Sequence, residues 1–296
     1  MRKDQAQLIT SLLKRNSKAL VYTYTNGFCG FSARLTAEEA RSIAQSPGVV
    51  SVFPDPILQL QTTRSWDFLD SMSYKKISPS TTDKQSSSSN EADTIIGFID
   101  SGIWPESPSF NDNGMGPIPT RWKGKCQEGF DFSYTNCNRK IIGVRFYKDV
   151  FGRPFLSGRD NLGHGSHVAS TASGSRVENI SYYGQATGTA RGGSPSSRIS
   201  VYKVCNYLGC PGSSILKSFE DSISDGVDIL SISLLMLKNS QGIYANFSND
   251  PIAIESFHAT EKGIAVVCAA GNNGPDPQLP REQHVCRCVV RGCTFI

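Results

Sequence analysis

Residues 213–234 read SSILKSFEDSISDGVDILSISL. Ile215, Phe219 and Ile223 recur at i, i+4 and i+8, which is one face of a helix over Ser213–Ser224. Gly226 stops that helix, and Val227–Leu234 returns as an apolar strand. The same alternation continues on both sides. Downstream, Ile252–Glu261 is a helix ended by Gly263, and Ile264–Ala270 is the next strand. Upstream, Thr94–Ile99 reads as a buried strand, and Ile199–Val204 holds another. Strands separated by helices of this length imply βαβ units and a mostly parallel sheet, an α/β fold. In such sheets, sites of chemistry lie beyond the carboxyl ends of the strands.

The first part of the chain has a different order. Residues 4 to about 15 predict an amphipathic helix with Leu8, Leu12 and Leu13 on one face. Leu20–Tyr24 and Phe28–Leu35 predict a hairpin about Asn26-Gly27. Thr36 and Glu39 form a capping-box signal for a helix to about Gln45, stopped at Pro47-Gly48. Val49–Phe53 predicts a further strand, giving a small α+β unit. Residues 71–93, with the run Ser86–Ser89, are polar and low in complexity, a linker or loop. From Pro275 the periodicity is lost, and the last residues read as foreign to the fold.

The bulk composition narrows the function classes. The chain has 296 residues, is 38% hydrophobic and 19% charged, and carries a net charge of +4. Its 30 cationic and 26 anionic residues are interspersed, which argues against a nucleic-acid partner. No apolar run reaches the ~18 residues that span a bilayer, so no membrane partner is expected. The start, MRKDQAQ, shows no apolar signal region. There are nine cysteines. Cys126 with Cys137 and Cys205 with Cys210 are close pairs, either disulfides of an oxidising compartment or reduced thiols. Cys286, Cys288 and Cys293, with His284 as the only candidate fourth ligand, match no common zinc spacing, so no metal is expected. Asn179 and Asn246 each begin an Asn-x-Ser glycosylation acceptor.

Three short segments bear chemistry. Asp100 closes the strand in Ile96–Gly102, either as a catalytic acid or as a loop cap. His164 sits in Gly163-His164-Gly165-Ser166-His167 at the start of a small-residue helix. It is a candidate general base. His164 and His167 as metal ligands are an alternative, though no Glu lies between them as in the His-Glu-x-x-His helix; one surface and one core histidine are another. Asn272, in Ala269–Pro275, either donates to an oxyanion from a strand end or makes an Asn-Gly turn.

Taken together, acid, histidine and strand-end asparagine in this order resemble the subtilases, the S8 family of serine peptidases. Their triad order and oxyanion asparagine are standard worked cases of acyl-transfer chemistry. The chain is most similar to the cucumisin-like subtilases of plants, from about residue 5 to about residue 278. The resemblance is carried by GIWPESPSF at 102–110, Gly116–Pro119, Trp122–Cys126 and Asp225–Leu234. In the front unit, Gly30–Thr36 and Gly48–Pro54 are similar to the family's inhibitory propeptide.

The resemblance implies a subtilisin-like mostly parallel sheet with flanking helices, here incomplete, preceded by a ferredoxin-like α+β propeptide. Residues 1–62 would be an inhibitor I9-like propeptide and 63–93 a junction and Ser-rich loop, with cleavage near Thr62–Phe68. Residues 94–278 would be part of the catalytic domain and 279–296 an aberrant tail. It implies peptide-bond hydrolysis through an acyl-enzyme, with no cofactor, a peptide substrate, the propeptide as intramolecular partner, and secretion. Asp100 would orient the base His164, and Asn272 would donate to the oxyanion. Ser231, Ser233, Leu234 and Leu235 would line the substrate cleft, and Cys126 would pair with Cys137.

Four features depart from the family pattern. No serine follows Asn272, so the chain as written is expected to lack the nucleophile and to be inactive. The tail after Gln278 looks like a shifted frame or misjoined exon. Leu235 and Met236 stand where the family has glycine after the Ser-Leu of the cleft strand. The start is expected to lack the family's signal peptide and the propeptide's first strand, and Ser166 replaces the usual Thr. A propeptide-like fragment that binds the cleft of an intact relative, or a non-functional product, remains the alternative to an enzyme.

Overall fold

The computed structural model describes residues 9–10, 19–60, 93–236 and 249–269. Its centre is the strand Ile95–Asp100 (β4), in which all six residues are buried. A strand buried on both faces belongs in the middle of a parallel sheet covered by helices. β4 lies between Arg198–Lys203 (β8), also fully buried, and Ile229–Ile232 (β10). Ile141–Phe146 (β5) and Ala265–Cys268 (β12) complete a five-stranded sheet in the order β12-β10-β4-β8-β5, every pair parallel.

The period-2 alternation of β4 divides the core. Ile95 and Ile99 pack with Ile215 and Phe219 of helix α3 (Gly212–Asp225) and Ile252 of helix α4 (Pro251–Glu261). Ile96 and Phe98 face the opposite layer, with Ala169 of helix α2 (His164–Ser173). Helices therefore cover both faces, as the alternating sequence pattern requires. Gly226 closes α3 in the left-handed region at φ 89°. Asp250 caps α4 by accepting the backbone N–H groups of Ile252 and Ala253 at 2.8 and 3.3 Å.

The apolar run Val227–Leu234 does not form one strand. It divides at Ser233 into β10, within the parallel sheet, and Leu234–Met236 (β11), which turns away to pair antiparallel elsewhere. β5 and the antiparallel hairpin Val177–Tyr182 (β6) with Gln185–Ala190 (β7) were not foreseen from the sequence.

In the front unit, Leu20–Tyr24 (β1) and Gly30–Ala33 (β2) form the expected hairpin. Helix α1, Ala37–Ala44, starts at the capping box of Thr36 and Glu39. The strand expected at Val49–Phe53 is a correction: no strand forms there. Val49 N–H bonds back to Ser46 O as the chain leaves α1, and Val50 is fully exposed, with no strand among the described residues to cover it. The strand comes later, at Ile57–Leu60 (β3). Of the expected first helix, Ile9 and Thr10 are helical and the rest lies outside the described residues, as does the Ser-rich segment. No helix among the described residues is long and apolar enough to cross a membrane.

One ion pair fastens α3 to the sheet. The Arg145 guanidinium of β5 grips both oxygens of Asp225, whose side chain is 3% exposed, and Tyr202 donates to the same carboxylate at 3.0 Å. Removing one member leaves a charge without its partner in a place water reaches poorly. Asp225→Ala is expected to destabilise the chain by about 3–5 kcal/mol. Urea denaturation reads this as a lower midpoint; an unchanged midpoint would refute it.

Candidate active site

Asp100 ends β4 at the carboxyl edge of the sheet and is completely buried. Its Oδ1 accepts the backbone N–H of Ser101 at 2.7 Å and lies 2.8 Å from Nδ1 of His164. Burial pushes the Asp100 carboxyl above its ordinary range, and the bond and charge of His164 oppose that. His164 is the first residue of α2, half-buried at the mouth of the site.

Close approach of two backbones makes this contact. Gly102 has φ 116°, and a Cβ there would sit 2.5 Å from Gly158 O. A Cβ on Gly165 would meet Gly102 O at 2.4 Å and Asp100 Oδ1 at 3.2 Å. The glycines let α2 dock against the exit of β4, which brings the imidazole onto the carboxylate.

α2 lacks a side-chain cap of its own, since its N-cap is Gly163. Asp160, 4% exposed, supplies one from four residues before His164. Its Oδ1 accepts Leu162 N, Gly163 N and the Ser101 hydroxyl at 3.0, 2.9 and 2.9 Å. Its Oδ2 accepts Ser166 N and Oγ at 2.9 and 2.7 Å. Ser101 Oγ in turn accepts Gly165 N at 2.8 Å. One carboxylate thus ties the neighbour of Asp100 to the first turn of the His164 helix. Ser166 keeps the hydroxyl this network needs. Lys203, at the end of β8, holds the same loop by donating to Arg159 O and Asn161 Oδ1.

Beside this pair lies a second small sheet. β3 of the front unit runs antiparallel between β11 and Cys210–Pro211 (β9), in the order β11-β3-β9. Leu58 pairs with Cys210 on one side and Met236 on the other. Because β10 lies next to β4 and leads into β11, this slot borders the edge that carries Asp100.

Comparison with known proteins adds the family. The model of the subtilase family matches residues 91–285, and that of peptidase inhibitor I9 matches residues 1–61. The chain belongs to the subtilase family. This subtilase is 56% identical over 272 residues to the CO(2)-response secreted protease of Arabidopsis thaliana, covering 91% of this chain and 34% of that protein. It is 52% identical over 281 residues to the subtilisin-like protease SBT5.1 of the same plant, covering 93% and 35%. The chain therefore spans about a third of the length of these curated relatives. Among solved structures, the epidermin leader peptide processing serine protease from Staphylococcus aureus superposes with a TM-score of 0.51 at 18% identity, over 94% of this chain and 62% of that one. That likeness concerns the fold.

The other residues of interest in this subtilase are distributed as follows. Ser231 and Ser233 are half-buried, and Leu234 is buried in the core with Leu58. The backbone of Leu235 pairs with Gln59. Disulfides join Cys126 to Cys137 and Cys205 to Cys210; the second ties the exit of β8 to the slot wall β9. His167 is exposed and Asn179 is exposed on β6 at φ 59°. Asn246, Asn272, His284, Cys286, Cys288 and Cys293 lie outside the described residues. Sequence reading passed over Asp160. Its signal is an acid just ahead of a helix whose N-cap, Gly163, carries no acceptor.

Burial pushes the Asp160 carboxyl up, but the bonds from Ser166, Gly163 and Leu162 outweigh it and hold the group below the usual range. A depressed folded-state value stabilises the fold above the ordinary carboxylate range, about 3.9, and that contribution is lost as pH falls through the lower value. Asp160→Asn is expected to cost about 1–3 kcal/mol at pH 7. The gap from the wild type should close below about pH 4. Thermal melts across pH test this, and a gap that is constant with pH would contradict it.

Proposed function

We propose that this protein is a serine endopeptidase that hydrolyses peptide bonds through an acyl-enzyme. The observation that carries the reading is the Asp100–His164 contact of 2.8 Å, a buried carboxylate on a histidine at the sheet's carboxyl edge. In this reading Asp100 orients the imidazole and stabilises its charged form. His164 takes the proton of the attacking hydroxyl and returns it to the leaving amine. Asn272 donates to the oxyanion. None of these steps calls on a metal or organic cofactor.

The substrate is an extended peptide. The slot between β9 and β11 supports this, because it already holds β3 by strand pairing, the way an edge recognises an extended chain. Ser231, Ser233, Leu234 and Leu235 belong to the strand that forms one wall and its approach. Residues 1–62 act as an intramolecular inhibitor, with β3 occupying the place of substrate, and 94–278 form part of the catalytic domain. The relatives' names include a secreted protease, and the disulfides Cys126–Cys137 and Cys205–Cys210 fit an extracellular setting.

No serine follows Asn272 in these 296 residues. We propose that they hold the acid and base without the nucleophile and are inactive alone. In the protein that includes the nucleophile, His164→Ala is expected to lower kcat by about 10⁶-fold. Assay of a fluorogenic peptide tests both statements. Turnover by the 296-residue chain, abolished by His164→Ala, would overturn the inactivity. Unchanged turnover by His164→Ala in the longer protein would overturn the mechanism.

A further inference from the structure

The β6–β7 hairpin stands off the body of the fold. Its base is fixed to the end of α2, where Gly192 N–H donates to Gly174 O at 2.8 Å and Gly193 N–H to Thr171 O at 3.0 Å. Beyond that base nothing among the described residues covers it, and residues 178–185 are all exposed. Two strands alone are marginal in water, and a contiguous exposed apolar surface on a folded protein marks a site of use. This hairpin carries Ile180, Tyr182 and Tyr183 at 44%, 75% and 90% exposure, with the two tyrosine rings edge to face at 4.7 Å.

Its backbone is irregular at two places. At the tip, Tyr183 and Gly184 take φ of 50° and 80°, the pair of left-handed residues that a two-residue hairpin turn needs. Lower down, Val177 pairs with Ala190 and Ile180 with Gly188, so β6 holds one residue more than β7 between these points. Asn179 lies in that bulge at φ 59°, a left-handed conformation that asparagine tolerates better than most residues. A bulge frees its residues from the ladder and re-aims their side chains.

Asn179 also opens the triplet Asn179-Ile180-Ser181, an acceptor pattern for N-linked sugar. A chance triplet falls as readily in a buried strand, whereas all three of these residues are exposed. The disulfides Cys126–Cys137 and Cys205–Cys210 fit the oxidising compartment in which such sugars are added.

We propose that Asn179 carries an N-linked oligosaccharide, and that this sugar covers the apolar strip of Ile180, Tyr182 and Tyr183. The donor is an oligosaccharide held on a lipid pyrophosphate. The Asn179 amide nitrogen bonds to the anomeric carbon of the sugar, and the carbon–oxygen bond to the pyrophosphate breaks. The lipid pyrophosphate leaves with that electron pair, and the amide gives up one proton. Tyr182 lies three residues from Asn179, about 10 Å along a strand, within reach of the first sugars. Their C–H faces stack on the tyrosine rings, and their hydroxyls turn an apolar surface into a hydrated one. The sugar stays clear of the catalytic pair. His164 starts α2 and the hairpin follows its other end, 10 residues or about 15 Å away.

The inference rests on the secreted setting proposed above. A secretion signal added to the chain supplies that setting in the test, so failure here is distinct from failure of that reading or of the catalytic one. The chain is produced in plant cells and the total cell extract is digested with trypsin. The peptide Val177–Arg191 contains Asn179 as its only asparagine. Release of the sugar by a peptide N-glycosidase in oxygen-18 water converts an occupied asparagine to labelled aspartate. The labelled peptide is expected as the main form; an unmodified peptide as the main form would overturn the site. Because the whole extract is read, a misfolded chain reports as well as a folded one.

Solubility reads the covering role. Asn179→Gln and Ser181→Ala both destroy the triplet and should lower the soluble fraction of the chain severalfold. Ser181→Thr preserves the triplet and should match the wild type. Soluble fractions equal to wild type in both triplet-breaking variants would overturn the covering role. So would a loss in Asn179→Gln alone, which reports the left-handed backbone and not the sugar.

Discussion

A carboxylate placed where water cannot reach it is the constraint around which this structure is arranged. Asp100 ends a strand whose every residue is buried, and an isolated charge there would be expelled or neutralised. It is kept by donors that arrive from fixed directions, Ser101 N and the His164 ring. Those donors are in place because α2 packs close enough to touch the backbone at Gly102, which only glycine at 102 and 165 permits. Asp160 then locks the helix start to Ser101, which holds Asp100 and His164 against each other.

The parallel sheet explains why the rest of the candidate site gathers at the same edge. Its strands all point their carboxyl ends one way, so the exits of β4, β8 and β10 lie side by side. The exit of β8 leads through Cys205 to β9, and that of β10 leads to β11; between them is an unpaired slot one strand wide. β3 fills it with backbone hydrogen bonds, which any extended chain can reproduce. The front unit adds what a bare strand lacks: Asp55 accepts the backbone N–H of Ser213 at the start of α3 at 2.7 Å, and the backbone N–H groups of Thr25, Asn26 and Gly27 donate to the Glu220 carboxyl of the same helix.

Much of this is readable in the sequence because it is local. The i, i+4, i+8 face of Ile215, Phe219 and Ile223, the capping box at Thr36, the stop at Gly226 and the apolar run ending at Asp100 each carry their signal within a few residues. The His164 segment is readable for the same reason. What the sequence hid is long-range. Val49–Phe53 has the composition of a strand, yet β structure needs a partner, and among the described residues none covers Val50. Ile57–Leu60 has a weaker pattern and becomes a strand because two edges await it more than 140 residues away. Val227–Leu234 reads as continuous, and only the change of partners at Ser233 divides it. Asp160 looks like an ordinary surface acid in the sequence; its meaning lies in what packs on it.

Asp100 and His164 form one hydrogen-bonded unit inside the fold. Proton NMR of the chain labelled with nitrogen-15 at histidine tests it most directly. A far-downfield Nδ1 proton on His164, protected from solvent and absent in Asp100→Ala, is expected. A His164 ring whose protons exchange freely with water, and whose spectrum is the same in wild type and Asp100→Ala, would contradict it.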